Sequence, residues 1–157
     1  MKLIKENYSF LLLIIILFFL DRFVKIEILK ILEDKNYLFI NNYLNLNLVF
    51  NTGIGFGLLS LEKEIYYNFL SIFIFMIILV LIFLMIKSKP YEKILFSFII
   101  GGAIGNLYDR IVFKAVPDFI DLHVGDFHWF SFNLADIFIT VGVIFMILTE
   151  FTAKEKK

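Results

Sequence analysis

The sequence predicts an integral membrane protein, mainly α-helical. It should have four transmembrane helices and a small extracytoplasmic antiparallel β-cradle between helices 1 and 2. Three observations carry the prediction. Of 157 residues, 61% are hydrophobic and the mean hydropathy is +0.88, far more apolar than an ordinary soluble domain. Long uncharged runs recur along the chain, as bilayer-crossing helices require. Between the first two runs, asparagines alternate with apolar residues in Tyr43-Leu44-Asn45-Leu46-Asn47-Leu48 and glycines follow, a strand-and-turn pattern.

The first uncharged run, 7–20, holds only 14 residues. It must continue through Asp21 and Lys25, which lie four apart and can pair on one helix face, giving a span of about 7–27. The cradle is expected over about 36–60. The second span, 65–86, is 22 residues without a charge, enough to cross ~30 Å of hydrocarbon. The third, about 93–108, has 15 uncharged residues between Lys93 and Asp109 and needs Lys93 to snorkel. The fourth, about 128–149, carries a single charge, Asp136. No repeat or linker divides the chain, so 1–157 reads as one membrane domain.

Charge placement sets the expected direction. Lys2, Lys5, Lys87, Lys89, Lys93, Lys154, Lys156 and Lys157 crowd the short amino end, middle connection and tail, whereas the other seven basic residues are spread over two longer connections. The positive-inside rule then puts both termini in the cytoplasm. Leu20-Asp21-Arg22 offers no small-residue cleavage site, so the first helix reads as uncleaved. The 15 basic and 15 acidic residues cancel, which gives no basic field for nucleic acid. Cysteine is absent, excluding disulfides, thiolate metal ligands and a cysteine nucleophile.

Asp136 is the residue that asks for a function. A carboxylate in a membrane span costs several kcal/mol, on the order of 3 even on lenient scales, and persists only for a reason. Asn133 lies three residues before it, on the same face of a helix, and Asp118 waits upstream. If Phe130 lies near the outer interface, a rise of ~1.5 Å per residue puts Asp136 roughly 9 Å deep. The third helix leaves on the same side, so Asn106, Arg110, Asp118, Asn133 and Asp136 can converge, with Asp109 bordering Arg110. Two carboxylates brought together share a proton, one able to take a proton from water and the other to donate to a scissile carbonyl.

Gly101, Gly102 and Gly105 are expected to let helices approach closely. His123 and His128 sit five apart without an HExxH helix and read as interfacial side chains rather than zinc ligands. Asp121 and Asp126 read as solvated loop acids, and Trp129 as an interface anchor. Neither a metal nor a cofactor is expected.

Five blocks carry a resemblance: Asp21-Arg22-Phe23-Val24-Lys25, Asn51-Thr52-Gly53-Ile54-Gly55-Phe56-Gly57, Gly102-Ala103-Ile104-Gly105-Asn106-Leu107-Tyr108-Asp109-Arg110, Val116-Pro117-Asp118-Phe119-Ile120-Asp121 and Phe132-Asn133-Leu134-Ala135-Asp136. In this order they resemble lipoprotein signal peptidase, the type II signal peptidase of bacteria. The resemblance implies an intramembrane aspartyl endopeptidase near the outer leaflet of the cytoplasmic membrane. Its catalytic pair would be Asp118 and Asp136, its substrate-supporting residues Asn51, Gly53, Asn106, Arg110 and Asn133, and its structural supports Asp21, Lys25 and Asp109. The implied substrates are diacylglyceryl-prolipoproteins cut before the lipidated cysteine. Surrounding membrane lipid is the other implied partner, and globomycin-like peptides the implied inhibitors.

The sequence departs from the family pattern at Val24, at Phe130-Ser131, which lacks a proline, and at Pro117, which stands beside a catalytic aspartate and removes an N–H. Other readings compete. A presenilin-like peptidase is hinted at by Val124-Gly125-Asp126, but His123 stands where that motif needs glycine. A small transporter or channel subunit could use Asp136 as a proton or ion relay, without need of Asp118. A purely structural membrane subunit would leave Asn51 and the Asn106/Arg110 pair without a role.

Overall fold

The structure is a computed structural model that describes residues 2–53 and 64–154. Its elements run α1 (Lys2–Ile31), β1 (Tyr37–Asn41), β2 (Leu44–Asn51), α2 (Glu64–Lys87), α3 (Pro90–Phe113), β3 (Val116–Val124), β4 (Phe127–His128) and α4 (Leu134–Lys154). Ile54 to Gly57 of the glycine-rich block, the 54–60 end of the expected cradle, Lys156 and Lys157 lie outside the described residues.

Three helices among the described residues are long and apolar enough to cross a membrane: Tyr67–Lys87, Pro90–Phe113 and Leu134–Thr152. Their outward faces are bare hydrocarbon, with Phe69, Phe73, Val80, Phe145 and Leu148 all exposed, far more apolar surface than a soluble monomer leaves in water. α3 is the central helix, packing on α1, α2 and α4. Ile14, Ile78, Met85, Phe96, Ile100 and Leu107 form the buried core between them.

Local sequence explains the boundaries of α3. Pro90 sits in its first turn and Glu92 Oε2 accepts the Lys89 N–H at 3.0 Å, closing the amino end. At the other end Lys114 takes a left-handed φ of 58° and turns the chain into β3. The close approach expected of the glycines is present. A Cβ on Gly102 would strike the Ala135 carbonyl of α4, and one on Gly105 would lie 2.5 Å from the Asp21 carboxylate of α1.

The strands form one antiparallel sheet in the order β1-β2-β3-β4. Its first hairpin turns on Asn41, whose side-chain oxygen accepts the N–H groups of Tyr43 and Leu44 at 2.9 and 3.0 Å. The second turns at Gly125, with a φ of 59°. The cradle is therefore built from both the α1–α2 and the α3–α4 connections rather than only from the one between helices 1 and 2. Two of its strands come from the α3–α4 segment.

α4 begins at Leu134, six residues later than the expected fourth span. Asn133 and Asp136 close its first turn reciprocally: the Asp136 N–H donates to Asn133 Oδ1 at 3.2 Å and the Asn133 N–H to Asp136 Oδ2 at 3.0 Å. Asp136 thus occupies the first turn of the helix rather than its interior.

Candidate active site

β3 and the start of α4 bring the two aspartates together. The Phe132 carbonyl accepts the Phe119 and Ile120 N–H groups at 3.0 and 2.8 Å, and the Phe132 N–H returns to the Ile120 carbonyl at 3.1 Å. This bridge pins the residue before Asn133 against β3 and so sets Asn133 beside Asp118. Pro117 sits in β3 opposite Phe50, and its ring leaves the Asp118 side chain in reach of its partners.

Asparagines hold both carboxylates. Asp118 Oδ1 accepts Asn133 Nδ2 at 2.6 Å and its Oδ2 accepts Asn51 Nδ2 at 2.9 Å. Asp136 Oδ1 accepts Asn106 Nδ2 at 2.8 Å, and its Oδ2 the Asn133 N–H. Asn133 therefore donates to both. The amides cannot turn round, because each oxygen is occupied: Asn51 Oδ1 by the Gly53 N–H at 2.9 Å, Asn133 Oδ1 by the Asp136 N–H, and Asn106 Oδ1 by Lys25 Nζ at 2.9 Å. Every donor is aimed at a carboxylate, and none of these donors carries a charge.

Asp118 is buried, and burial pushes its carboxyl from an ordinary 3.8 up to about 6. The Asp136 charge adds to the rise, while hydrogen bonds from Asn51 and Asn133 oppose it. Arg110 is within electrostatic reach of both aspartates, but its two terminal nitrogens bond backbone. Nη1 donates to the Asn106 carbonyl and Nη2 to the Gly53 carbonyl, each at 3.1 Å. It locks the end of β2 to α3 rather than forking onto a carboxylate.

Behind Asn106 lies a second group of acids. Lys25 is fully buried and pairs with Asp21 at 2.8 Å and Asp109 at 2.7 Å, Asp109 also bonds Arg22, and Asp21 Oδ1 accepts the Ala135 N–H at 3.0 Å. Asp21, Lys25 and Asp109 thus tie α1 to α3 and to the start of α4.

All ten residues singled out from sequence fall in this connected network. Sequence reasoning missed Asn45 and misread Asp121. Far from being a solvated loop acid, Asp121 is buried in β3, bonded by Asn45 Nδ2 at 3.3 Å and His128 Nδ1 at 2.9 Å. The alternation in β2 was the available signal, since its asparagines include the buried side of the strand at Asn45. Trp129 is half exposed. Among the described residues no cluster of His, Cys, Asp or Glu could hold a metal ion.

Comparison with known proteins adds to this geometry. The family described as Signal peptidase (SPase) II matches residues 13–152. A lipoprotein signal peptidase of Pelagibacter ubique (strain HTCC1062) is 47% identical over 156 residues, covering 98% of this chain and 94% of its own. One from Francisella tularensis subsp. mediasiatica (strain FSC147) is 39% identical over 99% of both chains. A third, from Anaplasma phagocytophilum (strain HZ), is 42% identical over 83% of this chain and 84% of its own. Two solved structures, each described as a bacterial membrane enzyme, superpose with TM-scores of 0.77 and 0.73. They are 25% and 26% identical, cover 95% and 90% of this chain, and are each 91% covered in return.

Proposed function

The chain belongs to the signal peptidase II family, and on that premise we propose that it removes the signal peptide from diacylglyceryl-modified prolipoproteins, cutting before the lipidated cysteine with Asp118 and Asp136 as its aspartyl pair. The observation that carries this reading is the Asn133 bridge, one residue donating to both carboxylates. A buried and a partly buried acid linked in this way and met by neutral donors do not both ionise cheaply, so they share a proton.

A water held between them gives a proton to the ionised carboxylate as its oxygen attacks the scissile carbonyl. The protonated partner donates to the carbonyl oxygen. Proton return to the leaving nitrogen then breaks the C–N bond. Asn51, Asn106 and Asn133 aim the carboxylates, Gly53 and Arg110 frame the strand end over which the peptide would lie, and Asp21, Lys25 and Asp109 brace the base of the site. Relay chemistry at Asp136 would leave Asp118 and its two asparagines without purpose, and aspartic peptidase chemistry is what fits the family.

α1 supplies the fourth crossing in this reading. Its 30 residues reach ~45 Å. Leu12, Ile16, Phe19 and Phe23 face outward while Asp21 and Lys25 are buried. The crowding of basic residues supports a reading in which both termini lie in the cytoplasm of a bacterium and the sheet and dyad at the outer leaflet of its cytoplasmic membrane. Membrane lipid would cover the exposed faces, and globomycin-like peptides would compete for the site. Purified protein in detergent should convert a diacylglyceryl-prolipoprotein to the mature form and stop when globomycin is added; failure to cut the lipidated precursor contradicts the reading. Reporter fusions after Lys89 and after Lys35 should read cytoplasmic and external respectively, and the reverse pattern would overturn the orientation.

A further inference from the structure

A cavity of about 650 Å³ lies between the sheet and α4 and reaches Asp136. Its wall is mostly apolar, with Phe127, Trp129, Phe130 and Phe132 among the lining side chains, and His123 is part of it. Beside His123 stands a cluster that the dyad chemistry does not use. Buried Asp121 accepts from His128 Nδ1 and from Asn45 Nδ2, and the His128 ring stacks on His123 with centroids 5.0 Å apart and planes 18° from parallel.

The cluster fixes the tautomer of His123. Asn45 Nδ2 lies 3.4 Å from His123 Nε2 as well as 3.3 Å from Asp121 Oδ2. A carboxylate oxygen accepts and an amide nitrogen donates, so Asp121 decides which way the Asn45 amide points. His123 Nε2 is then the acceptor, and the ring carries its hydrogen on Nδ1. That Nδ1 is buried and has no hydrogen-bond partner among the described residues. Among the described residues it is the one such atom on a side chain lining this cavity. A buried N–H left unmatched is costly, so its presence points to a ligand that matches it.

We propose that His123 is a specificity-determining donor for the substrate's lipid, its Nδ1–H taking an ester carbonyl oxygen of the diacylglyceryl group while the apolar walls cover the adjoining acyl chains. This rests on the reading of the substrate as a diacylglyceryl precursor. The occupant follows from the place: a lipid on the cysteine next to the cut bond must lie beside the dyad, and this is the apolar space that Asp136 itself lines. Asp121, Asn45 and His128 act as positioning residues that hold the tautomer and plane of the ring.

The test uses two precursors that differ only in the lipid linkage, diacylglyceryl (ester) and dialkylglyceryl (ether). They are cleaved by the wild-type enzyme and by His123→Phe in detergent free of glycerolipid, so that the only ester carbonyls are the substrate's. The ether keeps the chains and removes the carbonyls, while phenylalanine keeps a ring against His128 and removes the donor. The wild type should favour the ester by about fivefold in kcat/KM, the worth of one ordinary hydrogen bond, chiefly through KM. His123→Phe should treat both lipids as the wild type treats the ether. Retention of the ester preference by His123→Phe, an equal loss on both lipids, or no preference in the wild type would each overturn the role of His123. Cleavage of an unlipidated precursor as fast as the lipidated ones would instead overturn the substrate reading beneath it.

Discussion

Two pairs of aspartates sit on either side of Asn106, and they are treated in opposite ways. Asp21 and Asp109 are met by Lys25 and Arg22, so that two negative charges face two positive ones. Asp118 and Asp136 are met by three asparagines and a backbone N–H, with the only nearby guanidinium, Arg110, bonded to carbonyls. Charge neutralisation makes a pair inert, because each carboxylate is engaged by a cation that a reaction would have to displace. Neutral donors hold geometry and leave the proton free to move. The difference separates a brace from a reactive site within one polar network.

The comparison breaks most visibly in activity. Asp136→Asn should lower cleavage on the order of 10³-fold or more, and adding Asp118→Asn should cost little beyond that, because a pair acting as a unit is lost with either member. A gel-shift assay of prolipoprotein on matched amounts of protein measures this, and near wild-type rates in Asp136→Asn would remove the dyad.

In the brace the loss is of stability. Lys25→Met leaves Asp21 without its cation and Asp109 with only Arg22, and breaking a buried pair from one side costs about 3–5 kcal/mol. A thermal midpoint in detergent well below wild type is expected, and an unchanged midpoint would show that the cluster holds nothing together.

The dyad should also carry a pH signature. With its carboxyl at about 6 in the folded protein against an ordinary 3.8, Asp118 binds its proton more tightly folded than unfolded. The folded state is therefore favoured below 3.8, and that advantage is lost as pH rises to about 6. The midpoint of wild type relative to Asp118→Asn should fall between pH 4 and pH 6. A flat difference across that range would place the proton elsewhere.

The smallest effect is expected at Arg110. Its planar fork reaches two carbonyls at once, and a lysine ammonium cannot reproduce that geometry. Arg110→Lys should insert normally and cleave roughly tenfold more slowly, through loss of one or two hydrogen bonds to a charged donor. Full activity would mean that the β2–α3 lock is dispensable.

Much of this was legible in the chain. Asp136 announced itself as the one charge in an apolar run, and the pairing of Asp21 with Lys25 follows from their spacing of four. What stayed hidden depended on distant strand pairing. Nothing local to Asp121 shows that β2, some 76 residues upstream, covers it with Asn45, nor that β3 and β4 join β1 and β2 in one sheet. The start of α4 was misjudged for another reason. A spacing of three suits both a shared helix face and a reciprocal cap, and at Asn133 and Asp136 the cap is what forms. Asn51 entered the site through family resemblance alone, because the partner that gives it a role, Asp118, is 67 residues away.

The most direct test sets one member of each pair side by side. Asp118→Asn and Asp109→Asn, purified in the same detergent, would be measured for prolipoprotein cleavage and for thermal midpoint on the same preparations. Asp118→Asn should be inactive with a midpoint near wild type, since removing a buried charge offsets the misdirected amide. Asp109→Asn should melt far lower yet still cleave below its midpoint. Cleavage by Asp118→Asn, or an Asp109→Asn protein as stable as wild type, would contradict the division into reactive pair and brace.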